Sequence, residues 1–227
     1  MGHAAKVIDG KGRRWRRDRI SAVLYDVGVK HERVAAALGR LLWGSDVRRL
    51  YSEQHLLASL PEGSLVIDIP CGGGVALRGL EPGRRLAYVA VDLSRVLIVR
   101  ARREAARRGL GSVRFVEADV DALPFPDSRF DLCLAYNGLH CFASPDQAVS
   151  EITRVLRPGG MLRGSTVLSG QGRRQDILIR LWTGLGMFGP GGGAGELRSW
   201  LSDAGLSRIQ VDVTGAIAFF SAQKRGT

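Results

Sequence analysis

The chain has 227 residues, 45% of them hydrophobic and 24% charged, with a formal charge of +11. That length holds one α/β domain with a core plus a small extension. No apolar run approaches the ~18 residues of a membrane-spanning helix, and three scattered cysteines without a C-x-x-C pair point to a reducing cytoplasm rather than a disulfide framework.

No apolar segment of secretory type is visible near the first residues, so a cytoplasmic location is expected. The positive charge is nearly all arginine, since lysine occurs only at Lys6, Lys11, Lys30 and Lys224. Residues 1–20 carry +5 of the +11. A basic arm of this kind suits nucleic acid or anionic lipid, while a solvated tail is the plainer reading.

In chain order, residues 1–19 read as that tail. Residues 20–60 read as helices over Ile20–Val29, Glu32–Trp43 and Asp46–Leu60, with Val34, Leu38, Leu41 and Leu42 at helical spacing and Ser45 as an N-cap for the third. Pro61-Glu62-Gly63 closes this extension. A buried parallel strand follows over Leu65–Ile69, then a turn holding Pro70, Cys71, Gly72, Gly73 and Gly74, from which Val75–Leu80 is expected to start a helix. The βα rhythm repeats with a strand Leu86–Val91 ending at Asp92, a helix Arg95–Arg108 capped by Ser94, and a strand Val113–Glu117 ending at Ala118-Asp119. A strand Phe130–Tyr136 precedes a helix announced by Ser144-Pro145-Asp146-Gln147. A strand Met161–Leu168 comes next. Residues 169–194 break the rhythm with an apolar helix, Asp176–Met187, and a glycine-rich loop. An amphipathic helix Glu196–Ala204 and strands near Ser207–Val213 and Ala216–Gln223 finish the chain, the last two joined by a link short enough for antiparallel pairing. Strands alternating with helices imply a doubly wound, Rossmann-like α/β fold. The domain boundary falls near residue 60, with a basic tail and helical cap before it, the main domain over 61–227, and 169–194 as a lid-like insertion.

The glycine turn is not a dinucleotide fingerprint, because Leu77 stands where the third glycine of G-x-G-x-x-G belongs, and no phosphate-loop G-K-[ST] follows. Asp68, Asp92 and Asp119 fall at successive strand ends, where open α/β sheets bind ligands. Three neighbouring carboxylates suit a ligand with hydroxyl donors and positive charge, such as an adenosine with a cationic tail. On that reading Asp92 takes the ribose hydroxyls, Asp119 the adenine amino group, and Asp68 supports the glycine turn around an ammonium.

The set VIDIPCGGG, VAVDLS, EADVDALPFPDSRFD and RVLRPGGML resembles the class I S-adenosylmethionine-dependent methyltransferases over residues 65 to about 165. The resemblance implies a seven-stranded sheet whose last strand inserts antiparallel, and S-adenosylmethionine as cofactor. It implies that Asp92 binds ribose, that Asp119 and Val120 meet adenine, that Leu93 packs on the adenine face, and that Gly72 to Gly74 contact the methionine moiety. Asn137 is expected near the methionine and the substrate. Pro70 departs from the glycine found there in many members, and a stiffer turn is expected.

The reaction expected from this likeness is in-line displacement at the sulfonium methyl, in which alignment of the reactants dominates. His140 is the candidate for a base near the substrate. Tyr25, His31, Trp43, Tyr51, Trp182, Met187 and Phe188 are candidates to line an acceptor pocket, which suits a small, largely apolar acceptor such as a phenol, quinol, polyketide or lipid. The same aromatics equally suit gluing helices to the sheet. Two further readings stay open: a nucleic-acid methyltransferase using the Arg-rich arm, and a module that keeps the cofactor fold for protein interaction without transfer. His3, His31 and His55 make no metal-ligand spacing.

Overall fold

The computed structural model describes residues 32–226. The tail, the expected helix Ile20–Val29, and Tyr25 and His31 therefore lie outside the described residues. The strands are β1 (Leu65–Asp68), β2 (Ala87–Asp92), β3 (Arg114–Glu117), β4 (Phe130–Tyr136), β5 (Leu156–Val167), β6 (Leu206–Thr214) and β7 (Ile217–Lys224). They form one sheet in the order β3-β2-β1-β4-β5-β7-β6. β1 to β5 run parallel, while β7 inserts antiparallel between β5 and β6.

The helices are α1 (Glu32–Leu38), α2 (Arg49–Ser52), α3 (Leu56–Ser59), α4 (Arg95–Arg107), α5 (Pro145–Val155), α6 (Arg173–Gly184) and α7 (Ala194–Asp203). Alternation along the strands divides the core in two. Val66, Tyr88, Ala90, Leu132 and Leu134 pack with Ile98, Ala101 and Ala105 of α4. Ile67, Val89, Val91, Cys133 and Ala135 pack on the other face with Val149 and Ile152 of α5 and Leu197 and Leu201 of α7. The buried positions of α5 (Ala148, Val149, Ile152, Val155) recur at helical spacing, so one stripe of the helix meets the sheet.

Three expectations change. The glycine turn does not open an α-helix: only a single 3₁₀ turn forms over Ala76–Gly79. Pro82 lies just beyond it, and Gly79 is pressed so close to the Gln54 carbonyl that a Cβ there would sit 2.2 Å from the oxygen. The expected helix Asp46–Leu60 is broken into α2, a 3₁₀ turn over Glu53–His55, and α3. Ser45 does not cap it; the Ser45 hydroxyl is buried without a hydrogen-bond partner, and Asp46 instead accepts from the Arg48 backbone N–H at 3.0 Å. β5 begins at Leu156, five residues before the expected Met161, because Pro158-Gly159-Gly160 is taken into the strand at an irregular register opposite Phe130 and Leu132.

The helical extension rests on the β7 side of the sheet. α1 runs on into a π-helical stretch, Gly39–Trp43, ended by Gly44 in the left-handed conformation. Ala216 donates its N–H to the Trp43 carbonyl at 2.8 Å. Arg49 pairs with both Glu53 and Asp212, and Arg163 of β5 pairs with Glu53 at 3.1 Å, fastening α2 to the sheet.

Candidate functional site

β1 is flanked by β2 on one side and β4 on the other, so the chain changes direction across the sheet at its C-terminal end. A crevice forms at such a switch point. The loop leaving β1 is pinned at each step. Ile69 donates to the Leu134 carbonyl at 2.8 Å, and Cys71 donates to the Val91 carbonyl at 2.8 Å. Gly72 then donates its N–H to Oδ2 of Asp92 at 2.9 Å, while Ser94 donates to Oδ1 of the same carboxylate at 2.8 Å. Asp92, not Asp68, therefore holds the glycine turn. A carboxylate has about four acceptor positions, so the same group that holds the turn is of the kind that can also take a ligand's hydroxyls.

Two of the three glycines, Gly72 and Gly74, differ. Gly72 has φ +53 and open space where a Cβ would stand. Gly74 has φ +87 and faces Leu77 and Ala101 at 2.7 and 3.3 Å from such a Cβ. The first is half-buried backbone with room beside it for a ligand; the second lets the loop close onto α4. Pro70 follows a cis peptide and packs on Gly138, where a Cβ would lie 2.5 Å from its ring.

Asp68 is buried at the end of β1, and Tyr88 donates its hydroxyl to Oδ2 at 2.9 Å. Burial pushes the Asp68 carboxyl up to about 7, against the Tyr88 hydrogen bond, with the nearby Asp92 charge adding to the rise. Asp119 caps the 3₁₀ turn Val120–Ala122 by accepting from the Asp121 N–H at 3.2 Å. Val120 is buried within the core, and Leu93 is half-buried beside Asp92. Because β3, β2 and β1 are neighbours, Asp119, Asp92 and Asp68 stand in a row along one edge of the crevice.

Asn137 stands just past β4 with φ +53, a left-handed position that Asn tolerates better than most side chains. Ser165 of β5 holds it twice: its Oγ accepts the Asn137 N–H at 3.1 Å and donates to Oδ1 at 3.1 Å. With Oδ1 so engaged, the carboxamide NH₂ is left as a donor. His140 is only 2% exposed, and its Nδ1 accepts the Val167 N–H at 3.2 Å, with Thr166 Oγ1 at 3.3 Å. A backbone N–H can only donate, so the ring proton sits on Nε2. Burial holds the imidazole neutral, its pKa lowered to about 3. This arrangement runs against the base role expected from the sequence, because the one lone pair is already used.

The structure brings Trp43, Trp182, Met187 and Phe188 together. Trp43 and Trp182 meet edge to face at 5.7 Å, Phe188 stacks on Trp43 at 6.0 Å, and the His140 ring meets Phe188 at 4.5 Å. Trp43 and Phe188 are buried, so this group is the joint between the extension, α6 and the sheet. Tyr51 is elsewhere, with the Arg78 guanidinium 5.4 Å from its ring centroid. Ser165, Thr166 and Tyr88 escaped sequence reading. Their one signal was a hydroxyl inside a strand. A cavity of about 440 Å³ lies at the β7–β6 side, lined by Arg49, Arg163 and Arg198 with Glu53 and Asp212. It lies several strands from the carboxylate row, and Arg49 and Arg163 pair with its own acids. Among the described residues no group of three His, Cys, Asp or Glu side chains could hold a metal ion.

Residues 67–163, which include the glycine turn, Asp68, Asp92, Asp119 and Asn137, match the family model of a methyltransferase domain. Over residues 67–163 the chain carries a methyltransferase domain of the class I kind. It is 40% identical over 128 residues to a demethylmenaquinone methyltransferase of Thermus thermophilus, covering 55% of this chain and 57% of that protein. It is 30% identical over 148 residues to a ubiquinone/menaquinone biosynthesis C-methyltransferase of Pseudomonas aeruginosa, covering 63% and 56%. The chain thus spans little more than half the length of these two relatives. The crystal structure of the [4+2]-cyclase SpnF superposes with a TM-score of 0.67 over 91% of this chain and 95% of that one, at 20% identity, a likeness of fold. The cofactor of this methyltransferase family is S-adenosylmethionine. The site fits it: Gly72 has open space where a Cβ would stand, Asp92 fixes the turn beside it, and the acid row complements a cationic, hydroxyl-bearing ligand.

Proposed function

We propose that this chain transfers the methyl group of S-adenosylmethionine to a small, largely apolar acceptor of the phenol, quinol, polyketide or lipid kind. The observation that carries the cofactor part is the tie between Gly72 and Asp92, which sets open backbone and a carboxylate side by side at the switch point. The acceptor class is supported by the names of the relatives, which include quinone methyltransferases, and by the aromatic joint that meets His140 through Phe188.

When bound, S-adenosylmethionine supplies an activated methyl on a sulfonium that leaves as a neutral thioether. The chain's own residues then hold and align. Asp92 accepts the ribose hydroxyls while keeping the glycine turn in place. Asp119 and Val120 bound the adenine, with Leu93 against its face. Asp68, held by Tyr88, faces the methionine ammonium. Asn137, fixed by Ser165, presents its NH₂ to an oxygen of the methionine carboxylate or of the acceptor. His140 positions the loop after β4 through Val167 and through its own carbonyl, which accepts the Gly189 N–H at 2.8 Å. Alignment of this kind can supply ~7–11 kcal/mol of the barrier, so the site is competent without a strong base. In this reading the extension up to residue 60 caps the domain of residues 61–227, and 169–194 lies over the acceptor side.

The test is transfer of labelled methyl to a panel of quinols, phenols and lipids. Methylation of members of the panel is expected. Labelling of tRNA or rRNA alone would remove the acceptor proposal. Calorimetry showing no affinity for S-adenosylmethionine or its demethylated product would remove transfer altogether.

A further inference from the structure

Eight large apolar side chains are markedly exposed among the described residues, and six of them belong to two helical stretches. α1 and its π-helical continuation present Val34, Leu38 and Leu41 at 49, 40 and 57% exposure. α6 and the residue after it present Ile177, Leu181 and Leu185 at 61, 55 and 49%. Spacings of three and four put each trio on one side of its helix. The two stretches pack on each other, with Trp43 of one edge-on to Trp182 of the other. α6 has no fully buried residue, so its outward face is not a core stripe lying slightly open.

Charge flanks this apolar face. Arg33, Arg40, Arg173, Arg174 and Arg180 are exposed on the same two stretches. Arg40 is paired with Asp46, and Asp176 is half-buried and accepts the Gly170 N–H at 2.8 Å. In sequence, a basic run from Lys6 to Arg19 also precedes α1. Apolar residues between arginines are the pattern of a surface that lies in a lipid headgroup layer. Nucleic acid has no use for the apolar stripe, and a second copy would bring arginines against arginines.

We propose that the face made by α1, Gly39–Trp43 and α6 docks on an anionic lipid bilayer, with the apolar stripe among the upper acyl chains and the arginines at the phosphates. That docking would set the Trp43–Trp182 joint between the bilayer and the crevice, where an apolar acceptor could pass from lipid to protein. This last step rests on the function proposed above; the docking does not.

The test is flotation of the full chain with phosphatidylcholine vesicles, alone or containing phosphatidylglycerol. The expected result is co-flotation with the anionic vesicles, lost as salt is raised, and weakened about tenfold in Leu38→Asn/Leu181→Asn. Unchanged calorimetric affinity for S-adenosylmethionine would show that this variant is folded. Absence of flotation overturns the proposal. So does flotation undiminished in the double variant, which would leave the basic run as the sole anchor. So does light scattering in which the parent is a dimer and the variant a monomer, which would make a second copy the occupant. A chain that floats and binds S-adenosylmethionine, yet methylates no vesicle-dissolved quinol, would end the acceptor proposal and leave the docking intact.

Discussion

Two carboxylates within one hydrogen-bonded corner have opposite habits. Asp92 is buried but accepts two backbone N–H groups, whereas Asp68 is buried with a single phenol. Removing the first leaves the half-buried Gly72 N–H and the buried Ser94 N–H without that acceptor, a loss of about 1–3 kcal/mol. Asp92→Ala is therefore expected to lower thermal stability and to weaken cofactor binding by more than tenfold in calorimetry; unchanged affinity would remove the ribose assignment. Asp68 behaves differently because its folded pKa, about 7, lies above the ordinary 3.8. Between those values the folded chain holds a proton that the unfolded chain has lost. Its contribution to stability thus falls as pH rises from about 4 to about 7, and Asp68→Asn should remove that part of the slope in urea titrations. Asp46 and Glu151, both shifted down by arginines, act at lower pH and in the opposite direction. An ammonium placed beside Asp68 favours the charged form, so cofactor affinity should rise through pH 7 in the parent and stay flat in Asp68→Asn. At this scale the sequence showed which acids stand at strand ends. It could not show that Asp92 holds the loop and that Asp68 turns to Tyr88, because those choices depend on register across β1 and β2.

The glycine turn separates two uses of one residue type. Gly72→Ala meets only the cost of a left-handed alanine, about 1–2 kcal/mol, since its surroundings are open. Gly74→Ala adds a collision with Leu77 and with the Ala101 backbone, worth about 1–3 kcal/mol more. Chemical denaturation should rank Gly74→Ala as the less stable, and calorimetry should find that Gly72→Ala has lost cofactor affinity out of proportion to its stability. The elements themselves were unevenly legible. β4 has the limits expected, because FDLCLAY is apolar and bounded by turns. α5 begins at Pro145 as its start signal requires, although the Ser144 side chain makes no cap bond. The helix expected after the turn failed for a tertiary reason, the press of the Gln54 backbone on Gly79, which no local pattern carries. The break of the Asp46–Leu60 helix likewise follows from Arg49 and Glu53 turning toward β5 and β6.

Across the whole molecule, the extension meets the sheet domain at two places with no room for a side chain. A Cβ at Gly79 would lie 2.2 Å from the Gln54 oxygen, and one at Gly215 would lie 2.2 Å from the Trp43 oxygen. Gly215→Ala, which also carries φ +57, should loosen α1 to α3 before it loosens the sheet. Limited proteolysis would then cut first within residues 44–60, with the parallel strands still protected; protection throughout would show the joint to be tolerant. The doubly wound plan and the antiparallel ending were readable from strand order and from the short Thr214-Gly215 link, but the contact between that link and Trp43 was not. The position of β7 has a further consequence. It lies inside the sheet yet follows every other strand in the chain, so β6 has no neighbour to join until β7 arrives. A chain emerging from the ribosome must hold the outer side of β5 bare, an open template for wrong partners. Translation speed over the last strands, and any chaperone that shields that rim meanwhile, would govern how much of the newly made protein escapes aggregation.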